Sequence, residues 1–229
     1  MNVLLNTPLF TVARHMAFDD VCAALYSGGV WLRFYRWVPG KAVTFGYGQP
    51  VGLVKPAAAA KGFFDCVRRP TGGGMVFHEE DLTFSCLFES ALRPSAIYEK
   101  LHGAIQNALG ALAPVHTWGK TDPLAYAPAR NGAAGVCFAN PVENDLLSAD
   151  GHKILGGAIR RFERAVLYQG SLQLPGARQS PALKRAVIAG VENCFGVRLA
   201  ARGAGAELLE KTFILERERY LTPAWNEKF

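Results

Sequence analysis

The segment RRPTGGGMVFH, Arg68–His78, carries the clearest chemical potential in this chain. Three consecutive glycines, Gly72, Gly73 and Gly74, are costly between extended segments unless the backbone takes positive φ or approaches something closely. Beside Arg68 and Arg69, such a loop offers free N–H groups and cations that can hold a carboxylate, a phosphate or a long acyl chain. A tight turn with an arginine pair at the surface accounts for the same residues. The spacing matches neither GxxxxGK[ST] nor a GxGxxG leading into a helix. His78 closes the segment, either to orient a substrate or as a satisfied structural histidine.

A second constellation lies in Cys137–Ser171. Cys137 follows the Ala-, Gly- and Asn-rich loop Asn131–Gly135, where a thiol could be exposed. Lys153 comes sixteen positions later, just past an Asp-Gly turn, and runs into Gly156-Gly157. A hairpin between them could bring thiol and ammonium together, and a nearby ammonium favours the nucleophilic thiolate. The plainer alternative is a small buried cysteine and a solvated turn lysine. Glu143 and Asp145 flank Asn144 without a paired-carboxylate arrangement. His15 and His102 read as structural. No G-x-S-x-G supports a hydrolytic triad, and no spaced cluster of His, Cys and carboxylates points to a metal.

These residues need elements to position them. Val30–Trp37 alternates aromatic and β-branched residues with Arg33 and Arg36. Pro39-Gly40 offers a turn, and Ala42–Tyr47 reads as the second strand of a hairpin. Cys66–Arg69, Met75–His78 and Leu82–Phe88 read as strands around the glycine loop. Ser95 is a candidate N-cap for a helix to about Leu112, with Ile97, Leu101, Ile105, Leu109 and Leu112 on one face. Asn144–Leu147 and His152–Leu155 flank Ala149-Asp150-Gly151 as a second hairpin. Val166–Leu174 is another strand, and Pro181–Cys194 and Ala206–Arg219 carry helical spacing. Strands dominate the first three quarters and helices the end, which predicts an α+β fold.

Composition bounds the function. The 229 residues, 50% hydrophobic with 19% charged, suffice for one domain with a sizeable core, and residues 1–229 read as a single unit. Twenty-five basic against 19 acidic residues give +6, which favours an acidic partner. The basic residues are scattered, without a polybasic run, so nucleic acid is not expected. Five cysteines with no CxxC argue against disulfides and structural zinc. No apolar run approaches the roughly 20 residues of a membrane helix, and the N-terminus is a poor signal peptide, so a cytoplasmic protein is expected.

Taken together, five segments resemble the biotin/lipoate protein ligase and octanoyltransferase superfamily. They are RFYRWVPGKAVTFGYGQ (Arg33–Gln49), RRPTGGGMVFHEEDLTFS (Arg68–Ser85), CFANPVENDLL (Cys137–Leu147), GHKILGGAIRR (Gly151–Arg161) and QGSL (Gln169–Leu172). The terminal RYLTPAWNEKF (Arg219–Phe229) is similar to a helix end in that family. The resemblance implies a mixed β-sheet flanked by helices, the catalytic-domain type of biotin/lipoate ligases, without a C-terminal accessory domain. It implies an acyl chain in a tunnel lined by Gly72–Gly74 and the strand of Lys153. Lys153 would stabilise charge on the acyl carbonyl or phosphate oxygen. Arg69, His78, Asn144, Asp145, Gly156, Gly157 and Ala158 would belong to the substrate-binding wall.

Within the superfamily, HEEDLTFS (His78–Ser85) in place of HD-x-G-N, together with the Cys-Phe-x-x-Pro of Cys137–Pro141, resembles the cysteine-dependent octanoyltransferases of lipoate assembly. Their mechanism implies Cys137 as nucleophile, an acyl carrier protein as donor, and a lipoyl domain or the glycine-cleavage carrier protein as acceptor. It implies no cofactor, and a monomer. The alternatives are an ATP- and Mg²⁺-dependent lipoate ligase, to whose Asn-Asp pair Asn144-Asp145 is similar, and a non-catalytic lipoate-binding protein. Two departures stand out: Gln169 occupies the position of a frequent histidine, and Gly157 that of a serine.

Overall fold

The computed structural model describes residues 1–38, 40–119, 135, 137–139 and 141–229, with Cys137 described by its backbone. Among these residues, eight strands form one mixed sheet and three form a second. The large sheet contains β1 (Val3–Asn6), β2 (Trp31–Phe34), β6 (Leu82–Phe88), β7 (Val115–Thr117), β8 (Leu146–Ser148), β9 (Lys153–Arg161), β10 (Val166–Leu172) and β11 (Ala200–Gly203). Their order is β11-β1-β2-β6-β10-β9-β8-β7. β1 runs parallel to β2 and β11, and the other pairs are antiparallel. The small sheet places β3 (Ala42–Phe45) between β4 (Cys66–Arg68) and β5 (Val76–His78).

The expected hairpin of Val30–Trp37 with Ala42–Tyr47 does not form, because β2 and β3 belong to different sheets. The alternation in β2 misleads: Leu32, Arg33 and Phe34 are all buried, so the strand needs neighbours and cover on both faces. It finds β1 and β6, with Arg33 opposite Ser85. Backbone bonds from Phe10 N to Arg36 O and Val38 N to Phe10 O then draw the chain toward the N-terminus. The Asp-Gly hairpin does form, between β8 and β9.

Helices cover both faces of the large sheet. On one face α3 (Pro94–Leu109) and α4 (Pro181–Phe195) bury Ile97, Leu101, Ile105, Leu183, Val187 and Val191 against Phe84, Cys86 and Tyr168. Each such aliphatic side chain contributes about 1.5–3 kcal/mol on burial. A Cβ at Gly190 would lie 2.7 Å from Ile105 Cα, so glycine permits the close crossing of these helices. The N-cap of α3 is Arg93, not Ser95, since Pro94 takes the first helical position. The other face is covered by α1 (Val12–Ala24) and α5 (Ala206–Leu215), which ends in a π-turn over Glu216–Tyr220. Against the small sheet lies α2 (Val51–Ala59), and α6 (Pro223–Asn226) follows the π-turn. No described helix is long and apolar enough to cross a membrane.

Candidate active site

The sheet face beneath α1 is polar where a core would normally be apolar. Strand register sets Arg33, Ser85, Gln169 and Ala158 in one row, and Thr83, Ser171 and Gly156 in the next. Asp19 of α1 gathers the first row. Its Oδ1 accepts from Arg33 Nε and Ser85 Oγ, both at 2.7 Å, and its Oδ2 from Gln169 Nε2 at 2.7 Å and from the Tyr35 hydroxyl. Arg33 further donates to His15 Nδ1 and His15 O, at 2.9 and 2.8 Å. The second row is gathered by Asp81, whose Oδ2 accepts from His78 Nδ1, Thr83 Oγ1 and Ser171 Oγ at 2.6–2.8 Å. Burial alone would raise the Asp81 carboxyl, but these bonds hold it below the ordinary carboxylate range.

These rows form the floor of a half-open pocket, also lined by Met16, Val76, His78 and Phe138. Its polar groups are occupied with one another: His78 bonds Thr44 through Nε2 and Asp81 through Nδ1, and Gln169 bonds Asp19 and Thr71. Such saturation leaves carbon as the main surface facing the cavity, which suits an alkyl chain.

A wider, open chamber adjoins it, sharing Gly157 and Ala158, and is lined by Gly72–Gly74, Gly135 and Lys153. The glycine loop is fixed from three sides. Tyr47 N donates to Thr71 O at 2.8 Å, and Thr71 Oγ1 to Gln169 Oε1 at 2.8 Å. The Arg69 guanidinium folds back onto Thr71 Oγ1 and Gly72 O. Gly73 has φ +90°, and a Cβ at Gly46 would lie 1.7 Å from Gly73 O, so both positions require glycine.

Lys153 meets Asp145 at 2.8 Å, with both side chains 2% exposed. Burial pushes the Asp145 carboxyl up, against the pull of the Lys153 ammonium. The lysine stem lies on Gly156, where a Cβ would come within 2.2 Å of Cε. Asp145 is set by its bond from Val142 N at 2.7 Å and by Asn144, which takes φ +73°. His102 holds Asn144 O through Nδ1 and Tyr168 OH through Nε2, both at 2.7 Å. A carbonyl only accepts, so Nδ1 carries the proton and Nε2 accepts from Tyr168. Burial lowers this imidazole to about 4, so it is neutral at pH 7.

Cys137 begins a 3-10 turn, Cys137–Ala139. The next residue, Phe138, lines the inner pocket with its ring 5.1 Å from Lys153 Nζ. The turn therefore sits where the pocket, the chamber and the lysine meet. Convergence of the Cys137 thiol on Lys153, and residues 131–134 of the preceding loop, lie outside the described residues.

A profile of the lipoyl protein ligase A/B catalytic domain matches residues 11–187. The chain belongs to this family. It is 32% identical over 180 residues to the octanoyltransferase LipM of Symbiobacterium thermophilum, covering 75% of this chain and 64% of that one. It is also 32% identical over 178 residues to LipM of Oceanobacillus iheyensis, covering 74% and 62%. The chain thus spans just under two thirds of the length of these relatives. Among solved structures, a lipoate-protein ligase A bound with ATP superposes with TM-score 0.76 at 21% identity, covering 99% of each chain. The bipartite lipoate protein ligase of Thermoplasma acidophilum, from a study with its E2 lipoyl domain, gives 0.73 at 19% identity, covering 99% and 95%. At such identity the likeness shows the fold, and it agrees with the mixed sheet and flanking helices expected for the family.

In this lipoyl ligase A/B domain, the anticipated residues gather at the two cavities but differ in what they offer. Gly72, Gly73, Gly74, Gly157, Ala158 and Lys153 line the chamber, and Arg69, His78, Gly156, Gly157 and Ala158 the inner pocket. The hydrogen bonds of His78 are directed into the protein. Asn144 and Asp145 line neither cavity as described; Asn144 Nδ2 donates to Ser95 O at 3.2 Å, and Asp145 serves Lys153. Arg68 is no anion ligand: fully buried, it donates to the carbonyls of Tyr47, Gln49, Trp225 and Asn226. Sequence reading missed Asp19 and Asp81 as organisers, although the latter stands in the quoted HEED. It also missed Gln169 as a bridge from Asp19 to the glycine loop. No described group of three or more His, Cys, Asp or Glu is arranged to hold a metal ion.

Proposed function

We propose that this chain transfers an octanoyl group from the thioester of an acyl carrier protein to a lysine of a lipoyl domain, through an acyl thioester on Cys137. The observation that carries this reading is the seat of the Cys137 turn, with Phe138 facing both the mostly apolar inner pocket and the Lys153 ammonium. The likeness to octanoyltransferases supports the reaction, and the lipoyl domain studied with the Thermoplasma ligase supports the acceptor class.

In the proposed reaction the octanoyl chain lies in the inner pocket with its carbonyl toward Lys153. The Cys137 thiolate attacks the carbonyl carbon, forming a new C–S bond. Lys153 stabilises the oxyanion until the carrier thiolate leaves and takes up a proton. The neutral amine of the acceptor lysine then attacks the acyl-enzyme, loses one proton to water as the amide forms, and Cys137 departs as thiolate. The donor thioester is already activated, so no cofactor is required. The net charge of +6 would favour encounter with acidic partner proteins. We place the reaction in the cytoplasm, in a monomer with one catalytic domain.

The test is intact-protein mass spectrometry after mixing with octanoyl-acyl carrier protein without ATP, beside Cys137→Ala. A hydroxylamine-labile octanoyl adduct on the wild type alone supports the reading. No adduct, with AMP formed from ATP and free acid, replaces it with an ATP-dependent ligase. Tight lipoate binding without any turnover replaces it with a non-catalytic binding protein.

A further inference from the structure

The turn Gly46–Gln49 touches both halves of the site. Gly46 packs on Gly73, and Tyr47 N holds Thr71 O, so one side of the turn sets the glycine loop. On the other side the buried Gln49 side chain donates from Nε2 to Gly135 O at 2.9 Å, two residues before Cys137. Gln49 is itself held by its amide bond to Gly46 O at 3.0 Å and by Arg68 Nη1 on its carbonyl at 2.8 Å. Gly135 takes φ +109°, and a Cβ there would lie 2.8 Å from Gln49 Nε2. Its carbonyl also accepts from Met75 N, immediately after the glycine loop. Two donors from two separate segments therefore converge on one carbonyl, which a single oxygen with two lone pairs can satisfy.

We propose that Gln49 is a positioning residue whose carboxamide ties the Cys137 turn to the glycine loop, so that nucleophile and acyl-binding wall keep a fixed separation. The inference deepens the thioester reading and rests on it. A side chain whose role is confined to folding would change stability and leave the nucleophile's approach alone. A positioning role acts on kcat, because small misplacements of reacting groups are costly in rate. Met75 N remains on the Gly135 carbonyl in a Gln49 variant, so the effect is partial rather than total.

The experiment compares wild type, Gln49→Met and Gln49→Glu in the full chain. Methionine keeps the shape without the donor; glutamate keeps an acceptor for Gly46 N, which donates to Gln49 Oε1 at 3.4 Å, but sets a second oxygen against Gly135 O. Acylation of Cys137 by octanoyl-acyl carrier protein is expected to fall about tenfold to a hundredfold in kcat. KM for the carrier should remain within about threefold, because the Gln49 side chain is buried and a positioning defect acts on kcat. Gly135→Ala injures the same contact from its other partner, so Gln49→Met should cost little more in that background. Wild-type kcat in both Gln49 variants, or full additivity with Gly135→Ala, would overturn the proposal. So would loss of fold by circular dichroism in all of them, which marks a structural role. If the wild type itself forms no adduct, the thioester reading fails separately. Iodoacetamide labelling of Cys137, followed by peptide mass, then reads the tether: an unchanged rate in Gln49→Met rejects it.

Discussion

Two buried carboxylate–cation pairs invite comparison. Arg33–Asp19 joins at 2.7 Å beneath α1, and Lys153–Asp145 at 2.8 Å beside the chamber. Each is backed by a buried histidine with a lowered pKa, His15 for the first and His102 for the second. Their surroundings differ. Asp19 accepts from α1's neighbours on β2, β6 and β10 and from Tyr35, while the Arg33 guanidinium lies over the Phe18 and Tyr35 rings. Lys153 instead reaches the chamber wall on a floor of glycine, with the Phe138 ring beside it. The comparison teaches that an ion pair alone does not mark function. The first pair is a keystone of the fold, whereas Lys153, equally buried, differs in lining the chamber, which is what the proposed oxyanion role requires.

The largest effect should come from breaking the Arg33–Asp19 pair. Asp19→Ala leaves the Arg33 cation buried without its carboxylate, a lesion that costs about 3–5 kcal/mol. It also releases Gln169, and with it the bond to Thr71 of the glycine loop. Urea unfolding is expected to show this loss in midpoint, and a stability within 1 kcal/mol of wild type would break the comparison at its structural end.

Lys153→Met is the reciprocal test. Removal of one oxyanion-stabilising donor costs about 10²–10³ in kcat. The variant should lose acyl transfer by that order, measured with octanoyl-acyl carrier protein, while its urea midpoint moves less than that of Asp19→Ala. Asp145 is released into a site where burial already favours its neutral form, which limits the structural penalty.

Much of this arrangement was legible in the sequence, and the exceptions have physical causes. The glycine loop, the Asp-Gly hairpin and α4 declared themselves through local conformational demands that few residue types meet. α1 did not, because it is buried almost all round and shows no single apolar face; its His15 read as structural, but Asp19 and Asp20, partners of Arg33 and Arg219, drew no reading. β11 is exposed along its whole length and shows no alternation. α2 carries Pro56 in its interior, a residue that argues against a helix. Arg68 and Arg69 looked equivalent, yet Arg68 is consumed by carbonyls of the C-terminal segment, over 150 positions away in sequence. Long-range partners of this kind have no local signature.

The histidines allow a pH test of the same comparison. The His102 imidazole lies at about 4 in the folded chain against an ordinary 6.5, so below 6.5 the unfolded chain binds a proton that the folded chain refuses. Stability is therefore full above pH 6.5 and is lost as pH falls from 6.5 toward 4. For this group the loss between pH 7 and pH 5 is about 2 kcal/mol. His15, lowered in the same direction by burial and by Arg33, adds to it. Urea midpoints at the two pH values should fall for wild type and fall less for His102→Gln. An equal fall in both would remove His102 from its assigned neutral state.

Gly156→Ala is the mildest change and separates the two pairs most finely, since Arg33 has no counterpart to this glycine floor. A Cβ would enter the space of Lys153 Cε and Nζ, at 2.2 and 2.7 Å, but these are the far end of a flexible side chain. The lysine can swing aside, so overpacking should cost only about 1 kcal/mol of stability. Its ammonium would then leave the position set by Asp145, and kcat should drop about tenfold, since misplacement of a charge-stabilising group by 1 Å can cost 10²-fold and the lysine retains part of its reach. A stability loss with unchanged kcat would mean that the ammonium tolerates displacement, and that the Lys153 pair is a second keystone like the first.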